Sequence, residues 1–150
     1  MSKRITLIKG VIFSAAITLV SGCGTSHLNC DTPDNQERLV SALNELVSDY
    51  LVANAEKKGI ALAENPSYPA FTVTSFNQHI IDINAKKCDY IVKASFPATK
   101  AVQNAIPVSV VFRSTGINGQ THELNEFTVD PSDAVRLGIA AVKNAEQAKQ

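Results

Sequence analysis

The sequence contains no tryptophan, and its single methionine is the initiator. Its formal charge is zero, with 14 basic and 14 acidic residues. A nucleic-acid binder needs a basic patch or stripe, so that class is excluded as a partner. No cluster of lysines and arginines marks a polybasic membrane anchor either. There is no internal repeat and no low-complexity tract, which excludes solenoids and disordered tails. No apolar run reaches the roughly 20 residues of a spanning helix. Phosphate-cradling glycine loops are missing, and the glycines fall at turns and helix ends. No Gly-x-Ser-x-Gly elbow is present. His27-x-x-Cys30 is half a zinc ligand set without a second close pair, so no metal and no cofactor is expected.

Positive residues Lys3, Arg4 and Lys9 precede or open an apolar stretch, Gly10 to Val20, of 11 residues. A basic start followed by a short apolar region has the form of a secretory signal. An ordinary signal ends in an A-x-A-like site. Here the apolar run ends Val20-Ser21-Gly22-Cys23, small residues leading into a cysteine.

That stretch resembles the lipobox of bacterial lipoproteins at each of its four positions. The resemblance covers the first 23 or so residues, and it assigns the mature domain to no family. It implies thioether attachment of diacylglycerol to the Cys23 sulfur, cleavage before Cys23, and a palmitate-type acyl chain on the new amine. Three chains make a stable anchor, because each buried methylene contributes about 0.8 kcal/mol and one chain alone is marginal. Residue 24 is Gly; in enteric-type lipoproteins Asp there marks inner-membrane retention. The resemblance therefore places the protein on the periplasmic face of the cell envelope, in the outer membrane rather than the inner. It divides the chain into a signal peptide, 1–22, a lipidated linker, 23–31, and one domain, 32–150. Without the leader the chain keeps 11 basic and 14 acidic residues, a formal charge of −3.

Three cysteines are present. With Cys23 lipidated, Cys30 and Cys88 remain as an even pair in an oxidising compartment, and a disulfide between them is the simplest account. It would close a loop of about 59 residues, for which chain entropy gives roughly 4 kcal/mol.

A helix is expected over roughly 34–58. Asp34 with Glu37 gives a capping-box-like start, and Thr32 with Pro33 gives an alternative one. Leu39, Val40, Leu43, Leu46, Val47, Tyr50 and Leu51 line one helical face, and Lys57-Lys58-Gly59 reads as the stop. After the proline-bearing connection at 60–70 the period changes to two. Phe71 to Phe76 and His79 to Ile83 read as strand, with a bulge at Asn77-Gln78, and Asn84 to Lys87 reads as a polar turn. Cys88, Tyr90, Val92, Ala94 and Phe96 alternate with polar neighbours in the clearest strand. Pro97 to Ala105 is expected to connect it to a strand bearing Ile106, Val108, Val110 and Phe112. Pro107 points to a strand start or a sheet edge. Gly116 to Gly119 supplies a tight turn. Thr121 to Val129 follows, with a bulge near Asn125-Glu126 to reconcile the parity of Leu124 with that of Phe127 and Val129. Asp130-Pro131 opens a second helix with an apolar stripe at Val135, Gly138, Ile139 and Val142, fading after Ala145.

The expected fold is thus α+β: a long N-terminal helix on a three- to four-stranded antiparallel sheet, then a C-terminal helix. In element order it resembles the cystatin-like and NTF2-like architectures, which host many functions.

Candidate catalytic residues have bland competitors. His27 lies in the linker, and His79 and His122 read as solvated strand residues. Glu123, Glu126, Asp130 and Asp133 are explained by alternation and capping rather than as a glycosidase pair. An enzyme would need two of His79, His122, Glu123 and Glu126 in one cleft. Tyr68, Phe71, Tyr90, Phe96 and Phe112 either line a pocket or form the core. The expectation is a non-enzymatic, lipid-anchored accessory module that binds the membrane through its lipid and another envelope protein through its domain. The alternative is a small-molecule or lipid-binding module using the sheet's concave face, for which a pocket of a few hundred Å³ is required.

Overall fold

The computed structural model describes residues 28–115 and 121–150. The signal-like leader, Cys23, His27 and the Gly116–Gly119 turn lie outside the described residues. Helix α1 (Pro33–Lys58) starts at the alternative site: Thr32 is the N-cap, its hydroxyl accepting from Asn35 N, and Pro33 occupies the first turn. Pro33 costs nothing there, since its missing N–H would have had no helical partner. Gly59 ends the helix in the left-handed region, at φ 65°, with its N–H turned back onto the carbonyls of Ala55 and Glu56. The buried face is Asn35, Leu39, Leu43, Val47, Leu51 and Ala55. Those positions follow a four-residue step, and Val40, Leu46 and Tyr50 flank them half-buried.

Strands β1 (Ala70–Asp82), β2 (Ala85–Ser95), β3 (Val102–Thr115) and β4 (Thr121–Val129) form one antiparallel sheet in the order β1-β2-β3-β4. Helix α2 (Pro131–Gln147) closes the chain. This is the α+β order expected, with four strands. Both helices share a core with one sheet face: Leu39, Leu43 and Val47 from α1, Leu137 and Ala141 from α2, and Tyr90, Val92, Val108, Val110 and Phe112 from the sheet. Cys88, Tyr90, Val92, Ala94 and Phe96 are all buried, so the alternation of β2 reads directly as its burial.

Several local expectations are corrected. The bulges of β1 fall between Val73 and Ser75 and between Ile80 and Asp82, rather than at Asn77-Gln78. Gln78 is polar for another reason: on the helix side of the sheet its Oε1 accepts from Cys30 N at 2.9 Å. The first hairpin turns at Ile83-Asn84, and Ala85 to Lys87 already belong to β2. Lys86 looked like a turn residue but is buried, with Nζ donating to Asn29 Oδ1. Its long apolar stem suits the core wall while its head finds a polar partner. Strand β3 starts earlier than expected, at Val102, and Ala105 takes φ 53° where the register with β2 jumps between Val92 and Ala94. It is an internal strand, not an edge, yet its pairing with β4 begins only at Val108. Pro107 thus sits just beyond that ladder. The β4 bulge is where parity placed it: Val111 pairs with Glu126 and Phe112 with Leu124, leaving Asn125 extra.

The stripe of α2 is also rotated from the expected one. Leu137, Gly138, Ala141 and Asn144 are buried, whereas Val135 and Ile139 are exposed. Gly138 explains the rotation. A Cβ there would lie 2.2 Å from the Tyr50 ring, so only glycine lets α2 approach α1 along this line. Asn144 then falls inside and is fully used, accepting from Ala98 N and Thr99 N and donating to Ser67 O and Oγ. Ala145 packs on the core and Lys58 pairs with Glu146 at 2.6 Å, so the helix persists where fading was expected.

Candidate functional site

The segment 28–31 is fixed to the helix side of the sheet. Cys30 and Cys88 are bonded, with S–S 2.05 Å and Cα atoms 5.6 Å apart. Tyr90 Oη donates to Cys30 O at 2.8 Å. Burial, and then the Asp31 charge, push the Tyr90 phenol well above its ordinary pKa. Asn29 O accepts from both Thr32 Oγ1 and Asn35 Nδ2. The chain therefore joins its domain beside the β1–β2 hairpin, through a disulfide and a hydrogen-bonded knot.

On the opposite, helix-free face Asp89 is a polar hub. Ser109 Oγ donates to Asp89 Oδ1 at 2.5 Å, His79 Nε2 lies 3.1 Å from Oδ2, and Lys87 Nζ lies 3.5 Å from Oδ1. The Ser109 hydrogen bond, above all, holds the Asp89 carboxyl below its usual value; desolvation opposes this, and the Lys87 and His79 charges add to it. Serine, histidine and aspartate meet here in the wrong order for nucleophilic catalysis. The Ser109 hydroxyl donates to the carboxylate rather than to the imidazole, so the serine–histidine contact of a Ser-His-Asp triad is not made in this hub.

The other candidate acids and bases do not join this hub. Backbone pairing runs His79–Lys87–Val111–Glu126 across all four strands, so His79 and Glu126 stand at opposite edges, roughly 14 Å apart at three strand spacings. His122 and Glu123 also belong to β4, on the edge away from His79. Asp130 caps α2, accepting from Ser132 N and Oγ, which lower its pKa; Asp133 faces Arg136 one turn on, at 3.7 Å. No group of three potential metal ligands occurs among the described residues.

Of the aromatic set, Tyr90, Phe96 and Phe112 are core, Phe71 packs against it, and Tyr68 is exposed. An open groove of about 510 Å³ lies instead between α2 and the β2–β3 loop, bordered by Val102, Gln103, Arg136, Ile139 and Lys143.

The most unusual surface is the outer end of β1. Phe76 is 40% exposed, Ile80 73%, Ile81 49% and, in the turn, Ile83 76%. From Thr74 to Asp82 every residue of β1 is exposed. Among the described residues β1 has a neighbour on one side alone, so this apolar cluster flanks a row of unpaired backbone groups. The sequence signal was present: Ile80-Ile81 together with Ile83 break the alternation that a one-sided strand keeps.

In comparisons with known proteins, no family model, no curated protein and no solved structure matches this chain. Among the described residues no helix is long and apolar enough to cross a membrane.

Proposed function

We propose that this chain is a lipid-anchored cell-envelope protein that acts as an accessory, protein-binding module and not as a catalyst. Its lipid-bearing residue is Cys23, and its docking surface is the outer end of β1. The observation that carries the docking half is the exposed apolar group Phe76, Ile80, Ile81 and Ile83 on a free strand edge. Such edges add a partner's strand through backbone hydrogen bonds, with side-chain contacts giving selectivity. The lipobox-like stretch supports the anchor, and the paired Cys30 and Cys88 suit an oxidising compartment. The small-molecule alternative finds the helix-covered face of the sheet filled by Tyr90, Phe96 and Phe112, leaving it the open groove beside α2.

A photo-cross-linker placed at Ile83 of the full chain, in intact envelopes, tests the docking surface. A discrete protein adduct is expected from Ile83 and none from an equivalent probe at Asp49, exposed on α1. Equal yields from both positions, or no adduct from Ile83, would remove β1 as the docking site.

A further inference from the structure

We infer that the strand taken up by the β1 edge is β1 of a second copy of this chain, paired antiparallel about a two-fold axis at Gln78. The inference rests on the reading of this edge as a docking surface and names its partner.

The two edges of the sheet differ. Strand β4 has nine residues, carries the exposed Glu126, and is interrupted by the bulge at Asn125. Charges and bulges of this kind are how proteins guard an edge. Strand β1 has 13 residues, contains no lysine, arginine or proline, and bears one acid, Asp82, already paired with Arg113 at 3.5 Å. Its two bulges, at Thr74 and Ile81, lie on either side of Ser75 to Ile80 and leave that stretch as a regular run. Neither charge repulsion nor irregular backbone protects that run.

Symmetry then selects the register. A two-fold axis perpendicular to the sheet keeps each face on its own side, so facing residues must be of equal parity. With the axis at Gln78, Phe76 of each copy faces Ile80 of the other on the helix side, forming two apolar cross-strand pairs. On the open face Asn77 meets His79. Every residue from Phe76 to Ile80 is then used, and all lie inside the regular run. An axis at Asn77 instead sets Phe76 against Gln78, and brings Ile80 against the bulge at Thr74. The axis at Gln78 accordingly covers Phe76 and Ile80, the exposed apolar residues of that run, at once. It also joins the two sheets into one of eight strands with all four helices on a common face.

Facing Cα atoms of an antiparallel pair are about 4.5–5.5 Å apart, within disulfide range. Asn77→Cys and His79→Cys are chosen because Asn77 pairs with Asp89 and His79 with Lys87, on the face opposite Cys88. Full chains bearing each substitution are purified separately, mixed and oxidised; Cys23 is common to every arm. Heterodimeric disulfide is expected from the mixture at several times the yield from Asn77→Cys alone, whose own positions lie two residues out of register. Sedimentation in density-matched detergent should give the mass of two chains for the natural sequence. For Ile80→Lys, whose folding is checked by its intact Cys30–Cys88 bond, it should fall two-fold. Equal cross-linking in all arms overturns the register. A single-chain mass at all concentrations, without mixed-arm product, overturns self-pairing. In that second case, an Ile83 photo-adduct with a different envelope protein would leave the docking reading standing.

Discussion

Tyr90 holds its ring in the core and its hydroxyl on the carbonyl of Cys30, so one side chain ties the sheet to the start of the domain. Because burial raises its pKa, the folded protein keeps the phenol proton at a pH where the unfolded chain, near 10, has lost it. The unfolded state then binds fewer protons, and stability falls as pH rises above about 10. Tyr90→Phe should remove this alkaline loss while costing roughly 1–3 kcal/mol at neutral pH, since the buried Cys30 carbonyl loses its donor. Urea unfolding at pH 7 and pH 11 checks both effects; an unchanged alkaline loss would mean that another group is responsible. At this scale much was legible. The parity of Cys88 to Phe96 gave the buried face of β2, and Cys30 and Cys88, left over beside Cys23, are the pair the structure joins. Lys86 and Gln78 depart from the pattern of their neighbours because their polarity is satisfied by residues 29 and 30, some 50 positions away in the chain. A sequence window holds no trace of such a partner.

Among the elements, α2 shows where periodicity stops being sufficient. Spacing assigns Val135 and Ile139 to the apolar stripe, yet the helix turns them outward and buries Leu137 and Ala141 instead. Close approach at Gly138 outweighs the burial of Val135 and Ile139, and the fit to Tyr50 is a tertiary fact. Gly138→Ala should therefore destabilise the fold by roughly 1–3 kcal/mol, although alanine is the better helix former. Tyr50→Leu in the same chain should recover part of the loss, and a double-mutant cycle by thermal unfolding reads the coupling. Additive effects would show that the two residues do not meet. Both ends of α1 and the start of α2 are easier, because Thr32-Pro33, Gly59 and Asp130-Pro131 are local signals. The β4 bulge was likewise written in parity, whereas those of β1 were not. Thr74 and Ile81 carry ordinary strand side chains, and bulges placed by pairing with β2 leave no mark on composition.

For the whole molecule, order and class could be read from the change of period along the chain, but the asymmetry of the surface could not. Which strands are edges depends on sheet order, and the weight of Ile80, Ile81 and Ile83 depends on their being left uncovered. The domain is tied down where it leaves its N-terminal segment, by the Cys30–Cys88 bond and the hydrogen bonds around Asn29. A tether pulling at that point would load a cross-linked seam rather than a free helix end. The apolar edge lies next to this seam, since Gln78 on β1 holds Cys30 N. A docking strand would therefore be recruited close to the point of attachment. That Cys23 holds this domain at a membrane is the claim on which the envelope reading depends. Metabolic labelling with a fatty acid, comparing the natural chain with Cys23→Ser, tests it most directly. The natural chain should take up label and mature to a form beginning at residue 23, while Cys23→Ser should stay unlabelled and unprocessed. Full labelling of Cys23→Ser, or a natural chain that never takes up label, would contradict it.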